Sequence, residues 1–452
     1  MTHYMVSLFS GAGGLDLGFK SQGAFETILA NDILPSAVDT YAHNFKIPEC
    51  ADFEATKALP KVTLGDVAHL DFSMMKDRRV AVLTGGPPCQ DFSVVRGPHA
   101  ERRGIDVKRG RLYLHFIRAL AALKPAVFVF ENVPGLINAN QGLAYKTILE
   151  DFENLKSAGV SNSDGRLRYE LIFNELVRFS TIGVPQNRRR LVIIGLRRDL
   201  AQGIGQDVLN RIKARIRTAL TGQNMRFSTF PLTPIETFEG KILTELQEKY
   251  CEVMRQYDGI WDEVGSDPAL IWKKEVWDKL HFDIVKDYLT ANDTPGFSEV
   301  EFREAMREHK RVLEELEYIG KKLELKTRTN EDETVRQRMR MIPPDENHEF
   351  VRKTRWEVEG KGMSLIYRRL HPLKPSYTVV AHGGGGTWGY HYERERATLT
   401  NRERARLQTF PDSFSFKGKN GEIRAQIGEA VPPLGANRIA ECVSRVLSHL
   451  EY

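Results

Sequence analysis

Cys89 follows two glycines and two prolines in Gly85-Gly86-Pro87-Pro88-Cys89-Gln90, directly after the apolar run Val80-Ala81-Val82-Leu83. The run has the length and β-branched content of a buried strand, and the glycines and prolines end it. A thiol on such a turn stands where open α/β sheets place their ligands, and as a thiolate it is a nucleophile. A solitary cysteine in a Pro-rich turn more often simply packs, so its neighbours decide. Glu131-Asn132-Val133-Pro134 closes a second apolar run, 126–130. A partly buried carboxyl beside a nucleophile can keep a raised pKa and donate a proton, although Glu-Asn here also suits a helix cap. Gln186-Asn187-Arg188-Arg189-Arg190 precedes a third run, 191–196. Arginines in that place suit phosphate or base contacts, whereas a bare charge run is solvated surface.

A second group of residues suggests a nucleoside pocket. Phe9-Ser10-Gly11-Ala12-Gly13-Gly14-Leu15-Asp16 puts glycines after the first strand, where the backbone can approach a ligand at a helix N-terminus. Asp16 stands where a dinucleotide fingerprint wants glycine, which weakens a nicotinamide reading. Asn31-Asp32, at the expected end of the second strand, offers a carboxylate to ribose hydroxyls. Gly65-Asp66-Val67 offers another to an adenine amino group. Each acid alone is more often a turn or cap residue; at successive strand ends they describe one pocket.

The elements that must position these residues alternate. Strand-like runs at 5–9, 27–30, 80–84, 126–130, 170–177 and 191–196 are separated by stretches such as 112–123 and 145–158 with helical apolar spacing. That alternation predicts an α/β fold with a parallel, doubly wound sheet covered on both faces. At 452 residues, with 41% hydrophobic and 28% charged, the chain should hold two or three domains with an ample core. Its net charge of +5 permits a nucleic-acid partner without requiring one. Cys50, Cys89, Cys251 and Cys442 form no CxxC pair, so neither a metal site nor a disulfide framework is expected, and a reducing compartment fits. No leader is read at the N-terminus, and no apolar run approaches the ~18 residues of a membrane span. The expectation is a cytoplasmic protein.

The composition changes near residue 200. Residues 205–330 read as charged, amphipathic helices, with helical spacing over 267–289 and 300–325, and carry no evident chemistry. Residues 334–395 turn loopy and basic, with Arg336, Arg338, Arg340, Arg352, Arg355, Arg368 and Arg369 ahead of the glycine loop His382–Trp388. Such a mixture suits groove and backbone contacts, as it also suits a lid or a surface loop. Order returns at Thr400-Asn401-Arg402-Glu403, a capping box, and a last amphipathic helix follows Gln426-Ile427-Gly428-Glu429-Ala430-Val431-Pro432-Pro433. The expected division is a catalytic domain over 1–200 completed by 396–452, a helical insertion over 201–333 and a loop-rich recognition region over 334–395.

Taken together and in order, these motifs resemble the DNA (cytosine-5)-methyltransferase family over residues 4–197 and 370–445. Thr378-Val379 and Arg404-Ala405-Arg406-Leu407-Gln408-Thr409-Phe410-Pro411 continue the set. The resemblance implies a Rossmann-like methyltransferase sheet interrupted by a target-recognition domain, with the final helix packing back near the first strand. It implies S-adenosylmethionine held by Phe9, Gly11, Ala12, Gly13, Gly14, Asp32, Ile33, Asp66, Val67, Pro88, Leu112 and Ala430. Cys89 would attack C6 of a flipped-out cytosine, Glu131 would work at N3, and Arg190 would hold O2. Arg188 and Ser93 would orient the backbone and a covering loop, 91–108, and Gln90, Gln186, Thr378 and His382 would join Ser93 and Arg188 at double-stranded DNA. Two departures stand out. Glu429 replaces a more usual Asn, and could anchor a loop arginine, and Asp32 is shorter than the more usual Glu. The family also implies a cognate restriction endonuclease as partner. A transfer-RNA cytosine-5 methyltransferase and a catalytically silent paralogue are the rival readings. The basic insertion argues against the first, and Cys89, Glu131 and Arg190 together argue against the second.

Overall fold

The computed structural model describes residues 2–50, 59–75, 78–88, 112–155, 167–222, 231–279, 299–323, 333–358, 366–381, 389–396 and 398–450. Strands β1 (His3–Leu8), β2 (Phe25–Asp32), β3 (Glu49–Cys50), β4 (Lys61–Leu64), β5 (Val80–Gly85), β6 (Val127–Asn132), β7 (Tyr169–Arg178) and β8 (Arg189–Arg197) form one sheet in the order β3-β4-β2-β1-β5-β6-β8-β7. From β3 to β6 all neighbours are parallel. β8 runs antiparallel to both β6 and β7. The expected all-parallel sheet is therefore corrected to a mixed one. Residues 179–188, between β7 and β8, hold only the 3₁₀ turn Phe179–Ile182, too little chain for a parallel crossover. The reversal sets the start of β8 beside the end of β6, with Leu191 opposite Asn132 and Val192 opposite Glu131.

Alternation along the strands feeds two cores. On one face Met5, Val82, Val129, Val192 and Ile194 pack with α1 (Gly14–Gln22) and with the final helix Pro433–His449. The approach of that helix is close enough that a Cβ at Gly18 would lie 2.4 Å from the Ala436 Cβ. On the other face Val6, Leu83, Phe128, Phe130 and Ile193 pack with α3 (Tyr113–Leu123) and α4 (Leu143–Asn154). Strand residues buried on both faces are why these segments read as continuous apolar runs.

A third core joins α2 (Pro35–Phe45) to residues beyond the sheet. Past α5 (Arg198–Gly203), α6 (Gln206–Thr221) buries Leu209, Ile212, Ile216 and Leu220 in the sheet's own core, as do Val312, Leu313 and Leu316 of a later segment. By contrast α7 (Pro234–Glu239), α8 (Gln247–Arg255), α9 (Ile260–Val264) and α10 (Asp267–Glu275) share their core with Met339, Phe350, Tyr367 and Tyr390. Packing thus does not follow boundaries at 200 and 333. The helix Glu299–Glu315 ends before the expected 325. Among the described residues no helix is long and apolar enough to cross a membrane.

Candidate active site

The turn after β5 is braced by the end of β6. Asn132 Nδ2 donates to the Pro87 carbonyl at 3.2 Å, and a Cβ at Gly86 would sit 2.9 Å from Glu131 Oε2. Only glycine there lets the carboxyl lie against the turn that leads to position 89. Glu131 is almost fully buried, and its Oε1 lies 2.9 Å from Arg190 Nε. Burial pushes the Glu131 pKa up, against the opposing pull of Arg190 and Arg188. Cys89, Gln90, Ser93, His382 and residues 91–108 lie outside the described residues.

The three consecutive arginines part company. Arg190 also donates to the Arg189 carbonyl at 2.8 Å, and Arg189 is exposed. Arg188 is wholly buried and donates to the carbonyls of Val379 at 3.3 Å, Gly428 at 3.0 Å and Glu429 at 3.4 Å. Glu131 and Glu429 balance its charge. Gln186, also wholly buried, donates to the Gln408 side chain at 3.0 Å and accepts from Val379 N at 2.8 Å. The expected DNA contacts of Arg188 and Gln186 do not fit these placements, because enclosed side chains with protein partners present nothing to a groove. Both instead dock residues 376–379 and 428–429 onto the approach to β8. Thr378, half-buried, donates its hydroxyl to the Asn187 carbonyl at 2.9 Å.

Most of the residues expected at the cofactor lie just past the ends of β1, β2 and β4. Phe9 takes a left-handed φ of 55°, a strained choice for an aromatic residue at the mouth of a site. Gly11, φ 53°, faces open space. Gly13, φ 89°, rests on the stacked Tyr41–Phe45 pair, where a Cβ would come within 2.6 Å of the Phe45 ring. Asp32 accepts from Gly11 N at 2.8 Å and Leu34 N at 2.9 Å, which shapes the loop and leaves lone pairs for hydroxyls. Burial raises its pKa. Ile33 beside it is 62% exposed, an apolar face suited to a purine. Asp66 is exposed at the head of a short turn, and Ala430 lies against the Gly14 backbone. Leu112 heads α3, Ala12 is buried and Pro88 is exposed. Val67 departs from expectation, because its side chain is buried in the core. A glycine cradle, two acids and an exposed isoleucine fit an adenosyl group.

Sequence reasoning missed the parts that three residues play. Asp16 is fully buried, facing the hydroxyls of Ser7, Tyr41 and Thr84, none of which closes a hydrogen bond of ordinary geometry. Burial pushes its pKa up to about 6. Arg369 is buried and donates to the carbonyls of Ile342 and His391, both at 2.6 Å, of Glu393 at 2.6 Å and of Met339. Arg118 donates to the carbonyls of Leu70 and Val67. Each was hidden because its partners are distant in sequence.

A profile of C-5 cytosine-specific DNA methylases matches residues 4–445. The chain is 56% identical to the DNA (cytosine-5-)-methyltransferase M.ApeKI of Aeropyrum pernix, over 98% of each chain. It is 34% identical to the type II methyltransferase M.BbvI of Brevibacillus brevis, over 98% of this chain and 91% of that one. Its fold is similar to that of a putative DNA modification methyltransferase from an Escherichia coli prophage, with a TM-score of 0.58 at 20% identity, covering 99% and 100% of the two chains. The braced turn, its buried acid and these matches have one reading: the chain belongs to the C-5 cytosine-specific DNA methylase family.

Proposed function

We propose that this DNA cytosine-5 methyltransferase uses S-adenosylmethionine to methylate C5 of a flipped-out cytosine in a specific duplex site, through a covalent Cys89 adduct. The observation that supports it most is the Glu131 carboxyl, buried against the Gly86-Pro87 turn and ion-paired to Arg190. S-adenosylmethionine, when bound, supplies an electrophilic methyl group. Phe9 and Ile33 flank its adenine, Asp66 accepts from the adenine amino group, and Asp32 takes the ribose hydroxyls.

Cytosine C5 is a poor nucleophile until the ring loses its aromaticity. The Cys89 thiolate adds to C6, forming an S–C6 bond and making C5 enamine-like. Glu131 shares its proton with N3, which stabilises the ring charge, and Arg190 turns from the acid to hold O2. Once C5 carries the methyl it gives up its own proton to solvent, N3 returns its proton to Glu131, the S–C6 bond breaks and the thiolate returns. Unstacking the base costs a few kcal/mol, which contacts from Gln90, Ser93, Thr378 and His382 offset. Arg188 and Gln186 position the walls of this cleft. A restriction endonuclease cutting the same site in the cytoplasm is the expected companion.

A bisulfite map of DNA from cells expressing the chain tests the reading. One sequence motif protected from conversion is the expected result. Unmodified DNA with methylated transfer RNA would overturn it.

A further inference from the structure

We propose that Arg118 is a positioning residue for the cofactor, acting through the turn that presents Asp66. The inference rests on the reading of that pocket as the adenosyl site. Arg118 lies on α3, whose head is Leu112. Its Nη1 donates to the Leu70 carbonyl at 2.9 Å and its Nη2 to the Val67 carbonyl at 2.6 Å. One planar fork thus closes both ends of the 3₁₀ turn Val67–His69, and the guanidinium stacks 5.0 Å from the Phe72 ring.

The turn needs this support. A 3₁₀ segment of three residues has poor hydrogen-bond geometry and does not hold its shape unaided. On its entry side Gly65 N donates to the Asp32 carbonyl at 2.9 Å, tying it to the other acid of the pocket. On its exit side the Arg118 fork holds it beside the buried Leu70 and Phe72. Asp66 Oδ1 accepts from Ala68 N at 2.9 Å and so moves with the turn, leaving Oδ2 to face a ligand. The guanidinium is half-buried, and burial lowers its pKa while Asp71 opposes that shift. An arginine remains charged under such a shift, so the fork is permanent at physiological pH. Lysine at this position could reach one carbonyl but not both. The route from Arg118 to the reaction therefore runs through adenine recognition. The effect should fall on cofactor affinity, not on the chemistry at Cys89.

A double-mutant cycle on the full chain tests this, with the dissociation constant for S-adenosylhomocysteine measured by calorimetry. Asp66→Ala and Arg118→Met should each weaken binding about tenfold, and the double variant should be within about twofold of Asp66→Ala alone. The cofactor KM should rise while kcat at saturating cofactor stays within about twofold, and Arg118→Lys should fall between wild type and Arg118→Met. Additive losses, an unchanged dissociation constant in Arg118→Met, or a fall in kcat at constant KM would each overturn the proposal. If Asp66→Ala alone leaves affinity unchanged, the adenosyl reading of the pocket fails instead. Should Arg118→Met not fold, Arg118→Lys carries the same cycle.

Discussion

The sheet and residues 334–399 satisfy their backbones in opposite ways. In the sheet, ladders of parallel and antiparallel strands pair the main chain, and side chains at the strand ends are released for chemistry. In residues 339–399 the described strand pairing is limited to isolated bridges, such as Arg369 with Tyr390 and Tyr390 with Thr398. Side chains take over there. Arg369 gathers carbonyls from residues 339, 342, 391 and 393, and Arg394 donates to Arg340 O at 3.0 Å and Gln256 O at 3.0 Å. Arginine suits this work because its donors lie in a fixed plane and its charge is never lost. The lesson is that an arginine-rich stretch in a DNA-modifying protein need not be a DNA surface. Some of its cations replace the hydrogen bonds that a strand would have supplied.

The contrast can be broken by substitution. Cys89→Ala should leave both stability and DNA binding intact while methyl transfer falls by at least about 10⁴-fold, followed with labelled cofactor and a duplex substrate. Measurable turnover in that variant would remove the covalent route. Arg369→Met should do the reverse, costing about 3–5 kcal/mol in urea unfolding, because it strands several buried carbonyls at once. A loss under 1 kcal/mol would mean that residues 334–399 do not depend on their arginines. Glu131→Gln keeps the shape against Gly86 but lacks the acid, and kcat should drop by about 10²–10³-fold with stability little changed. An undiminished kcat would leave the ring nitrogen in need of another donor.

The smallest effect depends on pH. The Asp16 pKa is raised from 3.8 to about 6 by burial. Its contribution is therefore fully present below pH 3.8 and lost as pH rises through 6, by at most about 3 kcal/mol. Asp16→Asn cannot ionise, so its stability relative to wild type should improve between pH 4 and pH 7 and level off above. Urea midpoints at those pH values measure the difference. A constant difference would show that Asp16 does not titrate on its own.

Six of the eight strands were legible, and in β1, β5, β6 and β8 the reason is that burial on both faces leaves a nearly unbroken apolar run. β3 and β4 were not, since Glu49–Cys50 and Lys61–Leu64 are too short to show a pattern. The direction of β8 was equally hidden, because apolar periodicity is the same read either way. The Gly86 turn, Glu131 and Arg190 could be found because motif and strand end coincide. The fates of Gln186 and Arg188 could not: the partner of Arg188 at Val379 is 191 residues away. A run of three arginines carries no sign that one will be enclosed, one exposed and one paired.

The reversed strand has a further consequence. Because the chain reaches the site at the start of β8, it leaves β8 at the far rim and, among the described residues, returns to Arg188 through Val379, Gly428 and Glu429. A polypeptide cut within residues 223–230 would then yield two fragments, each holding part of one cleft. The first would carry Arg188 without its carbonyls, and the second those carbonyls without their arginine. Co-expressed fragments should regain activity only by reassociating, which makes this architecture a natural starting point for a split enzyme.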